Sequence, residues 1–231
     1  MRYMGGKQRI SKQLSAFIQG EIDRLNVDTF VDLFCGSCNV VSNVNAKYRY
    51  ANDIHPQLIA MWKALQTGWM PPKEVNEYQY DLAKDGKLSP HETAFIGFGC
   101  SYSGKYFGGY ARSGNRNYAL NARNSCLKKI DKIKDVSFFS MNYSDFCLPS
   151  SGIVYCDIPY RDTAQYKGVP KFNHDKFYAW AQKCKIPIYV SEYKENVPFG
   201  WKTVFEIESK QDMHSKSGKA KTTEVLITPY N

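Results

Sequence analysis

The feature that most constrains this chain is an alternation of short apolar runs with helical segments between residues 29 and 66. Residues 29–34 form a β-branched and aromatic run that ends at a Cys-Gly-Ser turn, and residues 48–53 form a second such run. Residues 57–66 have the apolar spacing of a helix, and a short helix is expected near 38–45. The order strand, helix, strand, helix predicts an α/β fold with a parallel sheet.

Further elements flank this unit. Helical spacing predicts a long helix over 7–25, and the strand and helix pattern resumes at 136–140, 152–157, 173–184, 186–190, 203–208 and 224–228. Residues 69–118 break the pattern, with one short helix near 90–97. We therefore predict a sheet domain formed by 1–67 and 136–231, with 68–135 as an insertion made mainly of helices and loops. The polar loop at 209–221, including His214, is expected to be mobile.

Length and composition limit the class of protein. The chain has 231 residues, of which 43% are hydrophobic, which suits one domain with an insertion and excludes a disordered chain. It contains no apolar stretch of roughly 18 residues and no signal peptide, so we expect a cytoplasmic protein.

Positive charge is concentrated in one segment. The formal net charge is +9, and residues 100–135 hold eight cations against Asp131 and Asp135, a balance of +6. A local basic segment favours a polyanionic partner such as nucleic acid. The seven cysteines are odd in number and irregularly spaced, which predicts free, mostly buried thiols. Cys35 and Cys38 lack the second pair that a zinc site needs, so no metal is predicted.

Acidic residues lie at the carboxyl ends of the first two predicted strands. Asp32 to Ser37 lies at the carboxyl end of the first strand, where ligands bind in doubly wound sheets, and Gly36 allows close backbone approach. This turn has one glycine and so lacks the Gly-x-Gly-x-x-Gly pattern of a dinucleotide-binding loop. A turn with no ligand-binding role is the alternative interpretation. Asp53 ends the second strand, where a carboxylate accepts hydrogen bonds from a ribose diol; it could equally cap the next helix.

The third acidic position indicates the class of reaction. Asp157-Ile158-Pro159-Tyr160 ends a buried strand, and such a turn presents a carboxylate and a backbone carbonyl together. These two acceptors suit an exocyclic amine such as adenine N6, whose lone pair is delocalised into the ring. Accepting its hydrogens would make the nitrogen more nucleophilic, and Tyr160 could stack on the base.

With these motifs the chain resembles the Dam-like, phage-type DNA adenine-N6 methyltransferases. Tyr3-Met-Gly-Gly-Lys7 is similar to the N-terminal motif of the family, and the sequence from Asp32 to Ser37 is similar to its methionine-binding motif. Asp145-Phe146 resembles the pair around the cofactor adenine, and Asp157 to Tyr160 resembles the Asp-Pro-Pro-Tyr catalytic motif. The motifs occur in family order up to the Glu224-Val-Leu-Ile-Thr-Pro-Tyr tail.

The resemblance implies a Rossmann-like fold and S-adenosylmethionine as cofactor. The implied catalytic motif is Asp157, Ile158, Pro159 and Tyr160. The implied cofactor-binding positions are Tyr3, Lys7, Phe34, Gly36, Ser37, Asp53, Asp145, Phe146 and Asp157. Without the resemblance, Lys7 would be a solvated first-turn lysine of the predicted helix.

The second residue of the catalytic motif departs from the family, which has proline there. Ile158 keeps the backbone carbonyl and loses only the fixed φ of proline, so activity is expected to survive. An aliphatic residue at this position also occurs in adenine-N6 methyltransferases that act on ribosomal RNA. An RNA methyltransferase and a catalytically inactive DNA-binding relative therefore remain alternatives.

The insertion holds the candidate nucleic-acid residues. Its segment 100–118 interleaves cations, glycines and aromatic residues, and the family places target recognition in this part of the chain. We expect Lys105, Arg112, Arg116 and Arg123 to contact double-stranded DNA, with an aromatic wedge beside the extruded base. A flexible solvated loop is the alternative. Residues 191–193 border the base pocket or form an exposed strand end.

Overall fold

The structure is a computed structural model that describes residues 1, 3–161, 171–208 and 223–229. The polar loop predicted at 209–221, with His214, lies outside these residues. The helices are α1 Ser11–Leu25, α2 Pro56–Gln66, α3 Glu77–Lys84, α4 Pro90–Gly99, α5 Tyr118–Leu127, α6 Ile130–Ile133 and α7 His174–Ala181. The strands are β1 Thr29–Asp32, β2 Tyr48–Asn52, β3 Val136–Phe139, β4 Ile153–Cys156, β5 Ile188–Tyr193, β6 Trp201–Glu208 and β7 Thr223–Pro229.

The seven strands form one sheet in the order β3-β2-β1-β4-β5-β7-β6. The first five are parallel, β7 is antiparallel to β5, and β6 is antiparallel to β7. The order reverses between β1 and β4, so their carboxyl ends open a crevice of the kind that binds ligands in doubly wound sheets. The predicted Rossmann-like α/β sheet is confirmed.

Apolar side chains cover both faces of the sheet. Phe30 and Ile153 pack into the core under α1, α2 and α4, whereas their neighbours Val31 and Val154 pack into a second core with α7. All four residues of β4 are buried, as expected for a central parallel strand with both faces covered. In the part of the chain that the structure describes, no helix is both long enough and apolar enough to cross a bilayer.

Two predicted elements near the site differ from the structure. The first helix begins at Ser11 rather than at residue 7, and the carbonyl oxygen of Lys7 accepts the N–H groups of Ile10 and Ser11. Lys7 therefore precedes the helix and is not one of its solvated first-turn residues. The short helix predicted near 38–45 is a single 3-10 turn, Val41–Asn43.

The insertion consists of helices and loops, as predicted, and has more helices than the single one expected near 90–97. It contributes α3, α5 and α6 in addition to the predicted α4, and within the described residues it contributes none of the seven strands. Helix α3 buries only Tyr80 and Ala83 and begins at a capping box, in which Asn76 and Gln79 satisfy each other's backbone N–H groups. The assignment of residues 68–135 as a target-recognition unit stays a prediction.

Candidate active site

A cavity of about 470 Å³ opens at the carboxyl ends of β1 and β4. Its walls are formed by the residues before α1, by the turns after β1, β2 and β3, by the catalytic motif after β4 with the start of α7, and by Phe98 and Tyr106 of the insertion. Eight of the predicted site residues line it, namely Tyr3, Lys7, Phe34, Gly36, Ser37, Asp53, Asp157 and Pro159. The fold thus brings residues from distant parts of the sequence to one site.

The turn after β1 is closed by Tyr3. Gly36 has φ +44°, and a Cβ atom built there would lie 3.0 Å from Cε1 of the Tyr3 ring. Both the backbone conformation and this contact require glycine. The carbonyl oxygen of Gly36 accepts the indole N–H of Trp62 at 2.9 Å, which anchors the turn on α2.

Asp53 is held by backbone donors. Its Oδ2 accepts the N–H of Gly36 and its Oδ1 accepts the N–H of His55, each at 3.0 Å. Burial raises the pKa of Asp53 to about 6, although both N–H groups oppose the rise. The alternative role as a helix cap is wrong, because His55 caps α2 through its Nδ1 and the N–H of Leu58. The fixed carboxylate faces the cavity with lone pairs left for hydroxyl donors.

Asp32 is a site residue to which the sequence analysis assigned no role of its own. Asp32 is 1% exposed and lines the cavity, and its Oδ1 has no hydrogen-bond partner among the described residues. Burial, followed by the negative charge of Asp157, raises the pKa of Asp32 well above its usual range. An unpartnered buried acceptor is costly, so a ligand with a positive or N–H donating group would be stabilised here.

Lys7 joins the catalytic motif. Its side chain is 6% exposed, and Nζ lies 2.9 Å from Oδ1 of Asp157 and 3.1 Å from Oε2 of Glu224. Burial opposes the charge of Lys7, yet the two carboxylates raise its pKa. Burial raises the pKa of Asp157 to about 6, and Lys7 limits that rise. Both groups are therefore charged near neutral pH.

The other motif residues take different positions. The side chain of Ile158 is 2% exposed and packs into the core with α7, so the departure from proline fills apolar space. The Tyr160 hydroxyl accepts from Nζ of Lys7 and donates to Oε2 of Glu224 at 3.0 Å. Ile158 and Tyr160 are not in the wall of the cavity, and stacking of Tyr160 on a base stays a prediction.

Asp145 and Phe146 are not brought into the main cavity. They border a separate pocket of about 440 Å³ with Tyr50 and Phe139. The main cavity is instead lined on this side by Tyr143, whose ring lies 5.8 Å from that of Phe34 between centroids. Phe172 and Trp180 complete this aromatic wall. The sequence analysis missed these three residues; Tyr143 lies just two residues before the predicted Asp145.

The predicted nucleic-acid residues have unequal exposure. Lys105 and Arg116 are exposed, and Arg112 is exposed while paired with Glu77. The guanidinium of Arg123 donates to the carbonyl oxygen of Pro71 and is partly buried. The loop that carries Lys105 also contacts the residues before α1, since the N–H of Met4 donates to Gly104 at 3.2 Å. This loop therefore lies beside the cavity.

One cation of the basic segment points inward. Nζ of Lys129 donates to the carbonyl oxygen of Ser37 and, at 2.6 Å, to Oδ1 of Asn39. Burial lowers its pKa. The eight cations of residues 100–135 therefore do not all face outward.

Two further predictions can be compared with the structure. All seven cysteines are free thiols and five of them are buried, which confirms that prediction. Residues 191–193 belong to β5, and the Glu192 side chain is buried and accepts the hydroxyl of Tyr178 at 3.0 Å. The exposed strand end considered for this segment is therefore wrong.

The sequence is similar to known DNA-modifying proteins. Residues 3–96 match the family profile described as D12 class N6 adenine-specific DNA methyltransferase. The modification methylase StsI of Streptococcus sanguinis is 26% identical over 190 residues, which cover 69% of this chain and 28% of that protein. This chain thus spans less than a third of the length of that relative.

Solved structures show weaker overall likeness. A dimethyladenosine transferase from Plasmodium falciparum superposes with a TM-score of 0.40 at 10% identity, covering 95% of this chain and 60% of that one. SMU.472, a putative methyltransferase complexed with SAH, gives a TM-score of 0.36 at 11% identity, covering 98% and 55%. Through residues 3–96, the chain matches the D12 class N6 adenine-specific DNA methyltransferases, which confirms the resemblance that its motifs indicated.

Proposed function

We propose that this chain is a site-specific DNA adenine-N6 methyltransferase, which transfers methyl from S-adenosylmethionine to an adenine flipped out of the duplex. The observation that carries the proposal is a single cavity lined both by Asp157 and Pro159 of the catalytic motif and by the Asp53 carboxylate. The first provides acceptors for an exocyclic amine and the second provides acceptors for a ribose. The family match over residues 3–96 supports the same class of reaction.

The cavity residues fit the cofactor. About 470 Å³ is within the range of roughly 300–1,000 Å³ typical of small-molecule sites. Asp53 would accept the ribose hydroxyls, and the unpartnered Oδ1 of Asp32 would stabilise the α-ammonium group of the methionine moiety. Tyr143 and Phe34 offer ring faces for the adenine. Bound there, S-adenosylmethionine supplies an electrophilic methyl group on a sulfonium sulfur.

The protein residues prepare the nucleophile. The Asp157 carboxylate and the Ile158 carbonyl accept the two N6 hydrogens of the target adenine, which favours a tetrahedral nitrogen with an available lone pair. The carboxylate also faces the positive charge that develops on that nitrogen. Asp157 must be ionised for this role, and the Lys7 ammonium at 2.9 Å favours its ionised form. The reaction needs no covalent intermediate with the enzyme.

The insertion would hold the duplex against this site. Lys105 and Arg116 are exposed and can neutralise phosphates. Tyr102 is 66% exposed on the same loop, next to the cavity wall formed by Tyr106. A side chain in that position can fill the space that an extruded base leaves. In this proposal 1–67 and 136–231 form the catalytic domain, 68–135 recognises the target, and the protein works in the cytoplasm.

Methyl transfer from tritiated S-adenosylmethionine to unmethylated duplex DNA tests the proposal. We expect N6-methyladenine in the product, and Asp157→Asn should lower the rate by at least about 100-fold because the amide cannot supply the charge. Asp175→Asn is the matched control, since Asp175 is exposed on α7 and paired with Arg161. Cofactor and DNA binding without incorporation across diverse duplexes would instead indicate an inactive relative. If RNA is methylated in preference to duplex DNA when both are present, the chain is instead an RNA adenine-N6 methyltransferase.

A further inference from the structure

Glu224 reaches the catalytic motif from the tail at which the family motifs end, and no role was assigned to it from the sequence. It lies at the start of β7, opposite Tyr193 of β5 and Ile207 of β6. Because β7 is antiparallel to β5, its first residues lie at the same edge of the sheet as the carboxyl end of β4. The Glu224 side chain is 21% exposed and contacts Lys7 and Tyr160 through Oε2.

Lys7 is shared among three acceptors. An ammonium group has three N–H bonds, and the oxygen atoms around Nζ of Lys7 belong to Asp157, Glu224 and Tyr160. The Tyr160 hydroxyl donates a hydrogen bond to Oε2 of Glu224 at 3.0 Å. One cation therefore lies between two carboxylates. The group of four side chains carries one net negative charge when Lys7, Asp157 and Glu224 are charged and Tyr160 is neutral.

We propose that Glu224 is a positioning residue for the catalytic motif: it holds Lys7 and Tyr160, so that Lys7 orients the Asp157 carboxylate without fully neutralising it. The inference rests on the proposed function, since it assigns Glu224 to the amine-accepting role of Asp157. A Lys7 ammonium paired with Asp157 alone would compensate its charge and weaken it as an acceptor for the adenine amine.

The charges around Asp157 come from several elements. Lys7 approaches from the residues before α1, Glu224 from β7, Glu192 from β5 and Asp32 from β1. The phenol of Tyr160 also lies in this group. After burial, Lys7 lowers the pKa of Asp157 while Glu224 and Glu192 raise it. Removing Lys7 or Glu224 should therefore move the titration of Asp157 in opposite directions.

The test measures that titration without cofactor or DNA. The protein is labelled with ¹³C at the aspartate carboxyl carbons, and the Asp157 resonance is identified by its loss in Asp157→Asn. In Glu224→Gln, which keeps length and an acceptor oxygen, the midpoint should fall by about half a pH unit or more. In Lys7→Met it should rise, and Glu224→Asp should restore a midpoint near that of the wild type.

A matched carboxylate provides the control. Glu206 lies on the neighbouring strand β6, is exposed and pairs with Lys194, so Glu206→Gln should leave the Asp157 midpoint unchanged. An unshifted midpoint in Glu224→Gln, or a downward shift in Lys7→Met, overturns the inference. Lys7→Met keeps the test decisive if Glu224→Gln does not fold.

The pH dependence of methyl transfer adds a second readout. The acidic limb of kcat/KM should move with the midpoint, toward lower pH in Glu224→Gln, because ionised Asp157 then persists further into acid. A purely structural role would lower the rate without moving the limb. Failure of the proposed function is distinguishable, since it would appear as absent transfer by the wild type, whereas failure of this inference appears as an unmoved Asp157 titration.

Discussion

The ring of Tyr3 covers Gly36, and a Cβ atom at Gly36 would lie 3.0 Å from Cε1 of that ring. The contact joins the residues before α1 to the turn after β1, so two walls of the cavity are held in one arrangement. Gly36 also donates its N–H to Asp53 at 3.0 Å. A change at this glycine should therefore act on the fold of the site and on ligand binding together.

Gly36→Ala should weaken both stability and cofactor binding. The φ of +44° is unfavourable for alanine, and the new methyl group would displace the Tyr3 ring. We expect a loss of about 1–3 kcal/mol in the free energy of unfolding, measured by urea denaturation, and at least about a tenfold loss of S-adenosylmethionine affinity, measured by calorimetry.

Gly20→Ala is the matched control for that variant. Gly20 lies within α1 with no atom within 4 Å of the position of a new Cβ, so alanine should stabilise the helix by about 0.5–1 kcal/mol. Cofactor affinity should not change. Equal changes of unfolding free energy and of cofactor affinity in Gly36→Ala and Gly20→Ala would contradict the role assigned to Tyr3 and Gly36.

The fold was predictable where the hydrophobic pattern is strong. The segment 29–66 has clear periodicity because β1, β2 and α2 are covered by the core. Helix α3 is only eight residues long and buries only Tyr80 and Ala83, so its apolar pattern is too short to predict a helix with certainty from the sequence. The start of α1 was placed too early because Lys7 is followed by a turn that leads into the helix.

The site was predictable where a residue directly follows a parallel strand. Asp53 and Asp157 follow β2 and β4, and this rule placed both at one edge of the sheet. Glu224 lies at the beginning of a strand, so only the antiparallel direction of β7 shows that it reaches the same edge. Sequence order gave no information on that direction. Asp145 was assigned by motif spacing alone, and the turn after β3 directs Tyr143 into the cavity instead.

Lys129 and Lys128 should behave differently despite being adjacent. Lys129→Met removes a donor from the Ser37 carbonyl and from Asn39 within the cavity wall, whereas Lys128 is exposed. We expect Lys129→Met to cost about 1–3 kcal/mol in the free energy of unfolding, and Lys128→Met to change it by less than about 0.5 kcal/mol. Urea denaturation of both proteins measures the difference, and equal costs would show that the Lys129 contacts contribute nothing.

Lys105→Ala and Arg116→Ala should each reduce the salt dependence of DNA binding. Each exposed cation that neutralises a phosphate adds about 0.9 to the slope of log K against log salt concentration. We expect each substitution to lower that slope by about one, measured by fluorescence anisotropy with a labelled duplex between low and moderate salt.

Lys47→Ala is the control for the salt experiment. Lys47 is exposed and precedes β2, at the edge of the sheet opposite the cavity. Its removal should leave the slope unchanged. If Lys47→Ala lowers the slope as much as Lys105→Ala does, the duplex is not held by the insertion.

His55→Asn should change the pH dependence of stability. Burial lowers the pKa of His55 from 6.5 to about 4, so the unfolded chain binds a proton below pH 6.5 while the folded protein does not until about pH 4. Stability is therefore lost as the pH falls through that window. Asparagine keeps a side-chain oxygen for the N–H of Leu58 and cannot be protonated.

The measurement compares the two proteins at two pH values. When the pH is lowered from 7 to 5, the free energy of unfolding of His55→Asn should rise relative to that of the wild type by about 2 kcal/mol. A cost of losing the imidazole ring that does not depend on pH is the same at both pH values and does not affect this change. Asp53, whose raised pKa acts in the opposite direction, is present in both proteins and cancels in the difference. A difference that is the same at both pH values would mean that His55 is protonated in the folded protein as readily as in the unfolded chain.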